Sequence, residues 1–452
     1  MELKRTLSFF DATAIGIGAI IGAGIFVVLG IAVGYAGPAV IISIIIAAIV
    51  ALFTALSFAE LSSAIPKEGG TYEFAYETIH PYFGFISGCL WLSAQTVAGT
   101  AISLGLASYL VALFPVLGGE LKVVAVSAAL VLTFLNLVGM KYSATVNNVL
   151  VLIKIAILCI FVVVGAFQIN SSNYSPFAPN GPFGILQGAG FIFFAYLGFG
   201  RIAALGEEVK NPKRTLPLSI LFALATSAVL YVVTGLVATG LAGYKILGNS
   251  ASPMAVAASA TGNLALVKTV SFGALVATVS VLLTNLLGLS RVSFAIARNK
   301  QFPKSLARIH SKFGTPYVSI LITGAMMALL ASFLSLPESA AITSFSILCT
   351  HIILHISAIR LRKKIPSPNT FKAPFYPLIP SLGLASCVIL MVSLPTVSWI
   401  ATVAIIIASS AYYLRRSILR QIRTLILAAI IIAIFAYYML RRKHQSRETS
   451  PI

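Results

Sequence analysis

The chain has 452 residues, 59% of them hydrophobic and only 9% charged, with a mean hydropathy of +1.00. It lacks the polar residues that would clothe a globular protein of this length in water, so it belongs in a bilayer. The formal net charge of +20 does not point to nucleic acid, because no soluble segment is long enough to carry a basic face.

Apolar runs of roughly 17 to 25 residues mark candidate membrane helices. In chain order they fall at 11–35, 39–64, 83–113, 121–139, 146–168, 184–206, 216–241, 265–297, 317–334, 338–359, 378–395 and 397–414, with a shorter thirteenth at 424–440. This reads as an all-α polytopic membrane protein. With the N-terminus in the cytoplasm, nearly all Lys and Arg of the connecting segments lie inside, from Lys4 and Arg5 through Lys210, Lys213 and Arg214 to Arg415 and Arg416, and only Lys122, Lys245 and Lys268 fall outside. That imbalance sets a multi-pass topology in the cell membrane, N-terminus inside, with some attraction to anionic headgroups. A thirteenth crossing would put Arg441, Arg442, Lys443 and Arg447 outside, whereas an interfacial helix would keep them inside. The sequence leaves both open.

Cys89, Cys159, Cys349 and Cys387 lie within apolar spans without close spacing, so neither a disulfide frame nor a metal site is indicated. The basic start resembles a signal peptide, but the long glycine-rich segment behind it has no small-residue cleavage site before the motif and is expected to be retained. Loops are short, and residues 1–416 read as one transmembrane domain, followed at 417–452 by an additional apolar helix and basic tail. The connections 170–182 and 242–263 have room for short lid-like helices.

Two spans are interrupted by glycines at mid-membrane depth. The first carries Gly16, Gly18, Gly22 and Gly24 in GIGAIIGAGIF; the second carries Gly188, Gly190, Gly198 and Gly200 around FFAYLGFG. Such clusters serve either close helix packing, as in the small-xxx-small pattern Gly18-x-x-x-Gly22, or unwinding that frees backbone groups for a ligand. Matching interruptions in two halves point to a transport site. Spans one to five and six to ten form halves of odd span number, which is the topology of an inverted repeat. A dinucleotide loop is excluded, because G-x-G-x-x-G spacing and a βαβ setting are both missing.

In the first break, unwinding around Gly22-Ala23-Gly24-Ile25 would expose amides at the start of a half-helix, which suits a carboxylate. In the second, Phe194-Ala195-Tyr196-Leu197-Gly198 would offer carbonyls to an ammonium, with Phe193, Phe194 and Tyr196 closing over the ligand. The bland reading of that stretch is an aromatic-rich core helix. Lys154 stands about midway along span five with no acidic residue in that helix. A lysine there costs at least roughly 2.5 kcal/mol on insertion scales. Burial disfavours its charged form, as a proton-coupling group requires. Snorkelling to Asn147 would take roughly 10 Å at 1.5 Å per residue, more than an easy reach.

Ser280 and Thr284 share a face of span eight, where back-bonding is the common use of such hydroxyls. His351 and His355 share the same spacing in span ten, but without acidic or Cys partners they read as packing or a polar cavity wall. Glu60, Glu207 and Glu208 read as cytoplasmic gate or loop charges that pair with Arg201, Lys210, Lys213 or Arg214.

Three strings in order, Gly18 to Phe26, Pro66-x-Glu68-Gly69-Gly70-x-Tyr72, and Glu207 to Arg214, together with the basic loop Arg298 to Pro303, resemble the amino acid-polyamine-organocation (APC) superfamily over Leu7 to Phe371. The resemblance implies a five-plus-five inverted-repeat, leucine-transporter-like fold with broken spans 1 and 6 and alternating access. It implies a substrate carboxylate on the amides of Ala23, Gly24 and Ile25 and an amino group near the carbonyls of Ile21, Phe194 and Leu197. By the same resemblance Lys154 matches the lysine of proton-coupled prokaryotic members and would contact the Gly18 carbonyl and Ser280. Many members carry an acidic residue after the GF of span six, where this chain has Gly200 and then Arg201. Its absence favours a neutral substrate.

The expectation is a proton-coupled importer of neutral amino acids with broad specificity, with no cofactor and no metal. The alternatives are an exchanger or cationic amino acid carrier of the same fold, and a channel or sensor. An enzyme is disfavoured, since no nucleophile-base set, metal cluster or phosphate loop is visible. The favoured side chain, the physiological direction and the oligomeric state are not written in the sequence.

Overall fold

A computed structural model describes residues 7–67, 69–117, 120–138, 144–203, 209–311, 313–364 and 370–416. The chain divides at residue 405 into a large unit and a short C-terminal one. The expected thirteenth span, Glu68 and the pair Glu207 and Glu208 lie outside the described residues.

The first pass combines α1 (Phe9–Ile20), a π-helical turn at Gly24–Val28 and α2 (Leu29–Ala36). The next are α3 (Val40–Ala64), the short α4 (Thr71–Thr78), α5 (Pro81–Leu113), α6 (Leu121–Leu137) and α7 (Ala144–Ala166). A sixth pass joins α8 (Gly181–Ile192), a 3-10 stretch at Phe193–Phe199 and α9 (Gly200–Ala203). Then come α10 (Pro212–Ala242), the short α11 (Tyr244–Gly248) and α12 (Pro253–Ser259), α13 (Leu264–Arg298), α14 (Tyr317–Phe333), α15 (Leu336–Lys364) and α16 (Leu378–Ser393). The last described helix is α17 (Thr396–Arg416). These elements coincide with the twelve passes expected up to residue 414. The 242–263 connection holds short helices as expected, and the 170–182 connection holds only a 3-10 turn at Ser171–Tyr174.

Local signals set the ends. Ser8 and Asp11 form a reciprocal capping box at the start of α1, which satisfies amides that the helix cannot. Gly37 takes φ 64° after α2, a conformation open to glycine, and Pro38 then blocks continuation of the helix. Asn263 caps α13 by accepting from the Leu266 amide at 3.1 Å.

In lipid, helices associate through close packing of small residues and satisfied polar groups. Accordingly, Gly324 of α14 lies directly on Thr133 of α6, and Gly235 of α10 lies on Ile44 of α3. The larger packings come in matched pairs: α3 with α10, α5 with α13 and α6 with α14. Likewise α1 packs on α10 as α8 packs on α3, and α7 packs on α13 and α10 as α15 packs on α5 and α3.

On the side where α3 ends, Glu60 is 2% exposed and held by a bidentate pair with Arg362 at 2.6 and 3.1 Å. It also accepts from the Ala373 amide at 2.9 Å. This corrects the expectation that Glu60 pairs with Arg201 or the basic residues near 210. Next to it, α4 docks on the end of α13: Tyr72 donates to Gln301 Oε1 at 2.9 Å, while Asn299 donates to Tyr72 Oη at 2.8 Å and to Glu73 Oε1 at 3.2 Å. Burial holds the Glu73 carboxyl above the usual carboxylate range. His355 sits buried between Ser57 Oγ at 3.0 Å and Thr54 Oγ1 at 3.4 Å, and His351 packs edge-on against Phe193. Both histidines serve packing, and among the described residues no three His, Cys, Asp or Glu cluster for a metal.

Candidate functional site

The first glycine-rich pass is broken where the sequence predicts, and the second leaves α-helical geometry there while its backbone stays helical. Helix α1 stops at Ile20, and Ile21 turns to extended backbone at φ −72°, ψ 95°. The chain re-enters helix through the π turn at Gly24. The first amides of a helical segment have no partner within it, and those of Ala23, Gly24 and Ile25 occupy that position. The second pass continues from α8 as seven residues of 3-10 helix, longer than such runs usually persist and typical of a hinge or a strained functional segment.

The two breaks lie back to back, so the glycines serve close approach and unwinding together. A Cβ on Gly24 would fall on the backbone and side chain of Ala195, and one on Gly198 would fall on the backbone of Ala19 and Ile20. Backbone atoms cannot rotate away, and overpacking of this kind costs roughly 1–3 kcal/mol. Gly24→Ala is therefore expected to lower the melting temperature and to cut transport at least roughly tenfold, on the same energetic scale. Gly288→Ala, whose nearest neighbour would be Trp91 at 3.6 Å, is the tolerated control. Equal behaviour of the two variants in uptake and melting would refute this reading.

A cavity of about 30 Å³ lies between the breaks. Of the candidate substrate contacts, Gly22, Ala23, Gly24, Phe194, Leu197 and Gly198 line it. Ile21, Ile25, Ala195 and Tyr196 are buried behind it, and Tyr196 turns its hydroxyl to the Ile44 carbonyl at 3.4 Å. At ~10–15 Å³ per water, the cavity holds two or three waters, so a substrate with a side chain needs the lining to move.

Sequence reasoning missed several contributors. Gln95 and Val281 reach the cavity from α5 and α13. Tyr231 of α10 donates to the carbonyls of Ile20 at 2.7 Å and Ala195 at 3.3 Å, bridging the two breaks. Arg201, expected among the cytoplasmic loop charges, instead lines the cavity, with Nη1 donating to Thr284 Oγ1 at 2.6 Å and Nη2 to Asn285 Oδ1 at 3.4 Å. The missed signal was its position on the first residues after a broken segment, where a side chain can face back into the site.

Lys154 is 1% exposed, and its Nζ donates to the Gly18 carbonyl at 2.9 Å, in the last turn of α1 before the break. Asn148 makes a second tie between the same helices, donating to Asp11 Oδ1 at 3.1 Å. The Ser280 hydroxyl donates to the Ala277 carbonyl of its own helix at 3.0 Å, and the Lys154 ammonium donates to Gly18, not to Ser280 Oγ.

Two interrupted helices around a small buried cavity inside a helical membrane protein define a multi-pass transporter class. The chain belongs to the amino acid permease family of the APC superfamily, whose family model matches residues 11–449. It is 34% identical to the branched-chain amino acid permease BcaP of Bacillus subtilis over 425 residues, covering 90% of this chain and 91% of that protein. It is 36% identical to the methylthioribose transporter of the same organism over 430 residues, 91% of this chain and 93% of that one. The cationic amino acid transporter 9 of Arabidopsis thaliana is 36% identical over 330 residues, 68% of this chain and 58% of that protein.

Proposed function

We propose that the chain is a secondary active transporter that imports neutral amino acids into the cell by proton-coupled alternating access, as a five-plus-five inverted repeat with its N-terminus in the cytoplasm. The observation that carries this reading is the cavity between the two interrupted passes, with Lys154 bonded to the first at Gly18. The repeat is supported by the reciprocal packings, in which α1 on α10 recurs as α8 on α3 and α7 on α13 and α10 recurs as α15 on α5 and α3.

The substrate carboxylate goes to the amides of Ala23 and Gly24, and the ammonium to carbonyls at the end of α1 and in the 3-10 stretch. The names of the relatives range over branched-chain amino acids, a methylthio sugar and cationic amino acids, so family membership leaves the side chain to the pocket. There Arg201 supports a neutral side chain, because a second cation on the substrate would meet the guanidinium. A protonated Lys154 makes a charge-assisted hydrogen bond that ties α7 to α1, stronger than the bond a neutral amine can make. Proton release toward the cytoplasm weakens that tie and frees the first break to move, and reprotonation from outside restores it.

The test is uptake by the purified protein in sodium-free liposomes, with a labelled amino acid panel and with or without an inward proton gradient. Gradient-driven, saturable accumulation of a neutral amino acid is the expected result. Uptake only into liposomes preloaded with amino acid would overturn proton coupling in favour of exchange.

A further inference from the structure

Away from the broken passes, a second cavity of about 570 Å³ lies between α5, α14 and α17 and ends at the turn that follows α13. Its α14 wall consists of Ser319, Ile322, Thr323, Met326 and Leu330, spaced three and four apart and therefore one continuous stripe. From Ser319 to Leu330 the stripe rises roughly 17 Å at 1.5 Å per residue. One leaflet contributes about half of a hydrocarbon core of ~30 Å, or roughly 15 Å. Ala401 and Ile405, one turn apart on α17, form the facing wall. Ile322 is 51% exposed and Met326 44% exposed, so the groove opens sideways into the bilayer.

An apolar occupant suits this space. Three hydroxyls on the lining are already taken up: Thr96 by the Leu92 carbonyl at 2.8 Å, Ser319 by that of Leu306 at 3.1 Å, and Thr323 by that of Ser319 at 2.8 Å. Water stays in a cavity only with two to four polar partners.

The end of the groove carries the opposite chemistry. Phe302 and Leu306 close it, and the short 3-10 turn Lys304–Ala307 sets the exposed Lys304 and Arg308 beside them. Arg298 and Lys300 precede the turn, and no Asp or Glu occurs in the sequence between Val209 and Pro337. Glu73, which approaches the end of α13 from α4, is buried and bonded to Asn299. The geometry points to a binding site for one anionic phospholipid, its acyl chain in the groove and its phosphate on Lys304 and Arg308.

The test is native mass spectrometry of the full chain in mild detergent, with equal amounts of phosphatidylglycerol and phosphatidylcholine of identical acyl chains. The expected result is a monomer that retains one phosphatidylglycerol, preferred roughly tenfold over the zwitterionic lipid. Lys304→Ala with Arg308→Ala, both on the exposed turn, should remove the preference while a lipid is still carried. Thr323→Phe with Met326→Phe should fill the groove and remove the bound lipid, with a melting curve to check folding. Equal retention of the two lipids by the unaltered chain, or a preference that survives loss of both basic residues, overturns the proposal. So does a dimer broken by the groove-filling pair, which would assign the groove to a second copy.

Discussion

Lys154→Ala is expected to abolish accumulation driven by a proton gradient while exchange of substrate across the liposome membrane persists. The side chain is 1% exposed and its donor reaches the Gly18 carbonyl at 2.9 Å, so removing it takes away both the ionisable group and the tie between α7 and the first break. A gradient of one pH unit is worth about 1.4 kcal/mol per proton. It therefore supports at most about a tenfold accumulation when one proton moves with each substrate. The variant should fall from that level to equilibration. Lys154→Gln separates coupling from architecture, since its amide can still donate to Gly18 but cannot titrate in this range. It is expected to fold, bind and exchange without accumulating. Gradient-driven accumulation in either variant would remove Lys154 from the mechanism.

Replacing Arg201 with Gln should admit lysine and arginine as substrates and leave neutral amino acids within a few fold of their original rates. The guanidinium lines the cavity between the breaks, and the nearest groups bonded to it are the neutral side chains of Thr284 and Asn285. A substrate ammonium about 6 Å away is repelled by roughly 3 kcal/mol at an effective dielectric near 20. Arg201 is only half-buried, so screening reduces this, and a gain of roughly tenfold in cationic over neutral uptake is expected. Glutamine keeps one donor for Thr284 or Asn285, and Arg201→Lys, which keeps the charge, should retain the original selectivity. Competition of labelled neutral uptake by unlabelled lysine measures the change. Lysine competing equally well before and after the substitution would mean that Arg201 does not set the side-chain preference.

Both results depend on how two distant parts of the chain meet, and the residues differ in how far that meeting could be read beforehand. The twelve helical segments up to residue 414 were legible because a run of apolar residues in lipid has little choice but helix. The breaks were legible for a related reason: glycine clusters at mid-membrane depth need either close approach or freed backbone, and here Gly24 and Gly198 serve both. Lys154 was legible because an isolated lysine far from either end of its helix is costly without a purpose. Its bond to the Gly18 carbonyl came from the family resemblance, and the accompanying contact with Ser280 is not among its hydrogen bonds.

Other assignments belong to the tertiary structure alone. Tyr196 looks like a ligand contact in its aromatic string, yet a 3-10 turn advances its side chains differently from an α-helix, and the hydroxyl ends at Ile44 on α3. Tyr231 and Gln95 sit in ordinary apolar helices with nothing local to mark them, and they matter because of what their helices face. Glu60 finds Arg362, 302 residues away.

Helix content, membrane insertion and the location of the breaks followed from the sequence by itself, because the bilayer charges every residue separately for exposed backbone and unpaired charge. Which side chains surround the cavity was decided only when the passes packed. Direction around a helix is local, but the neighbour it points to is not, and selectivity rests on that neighbour.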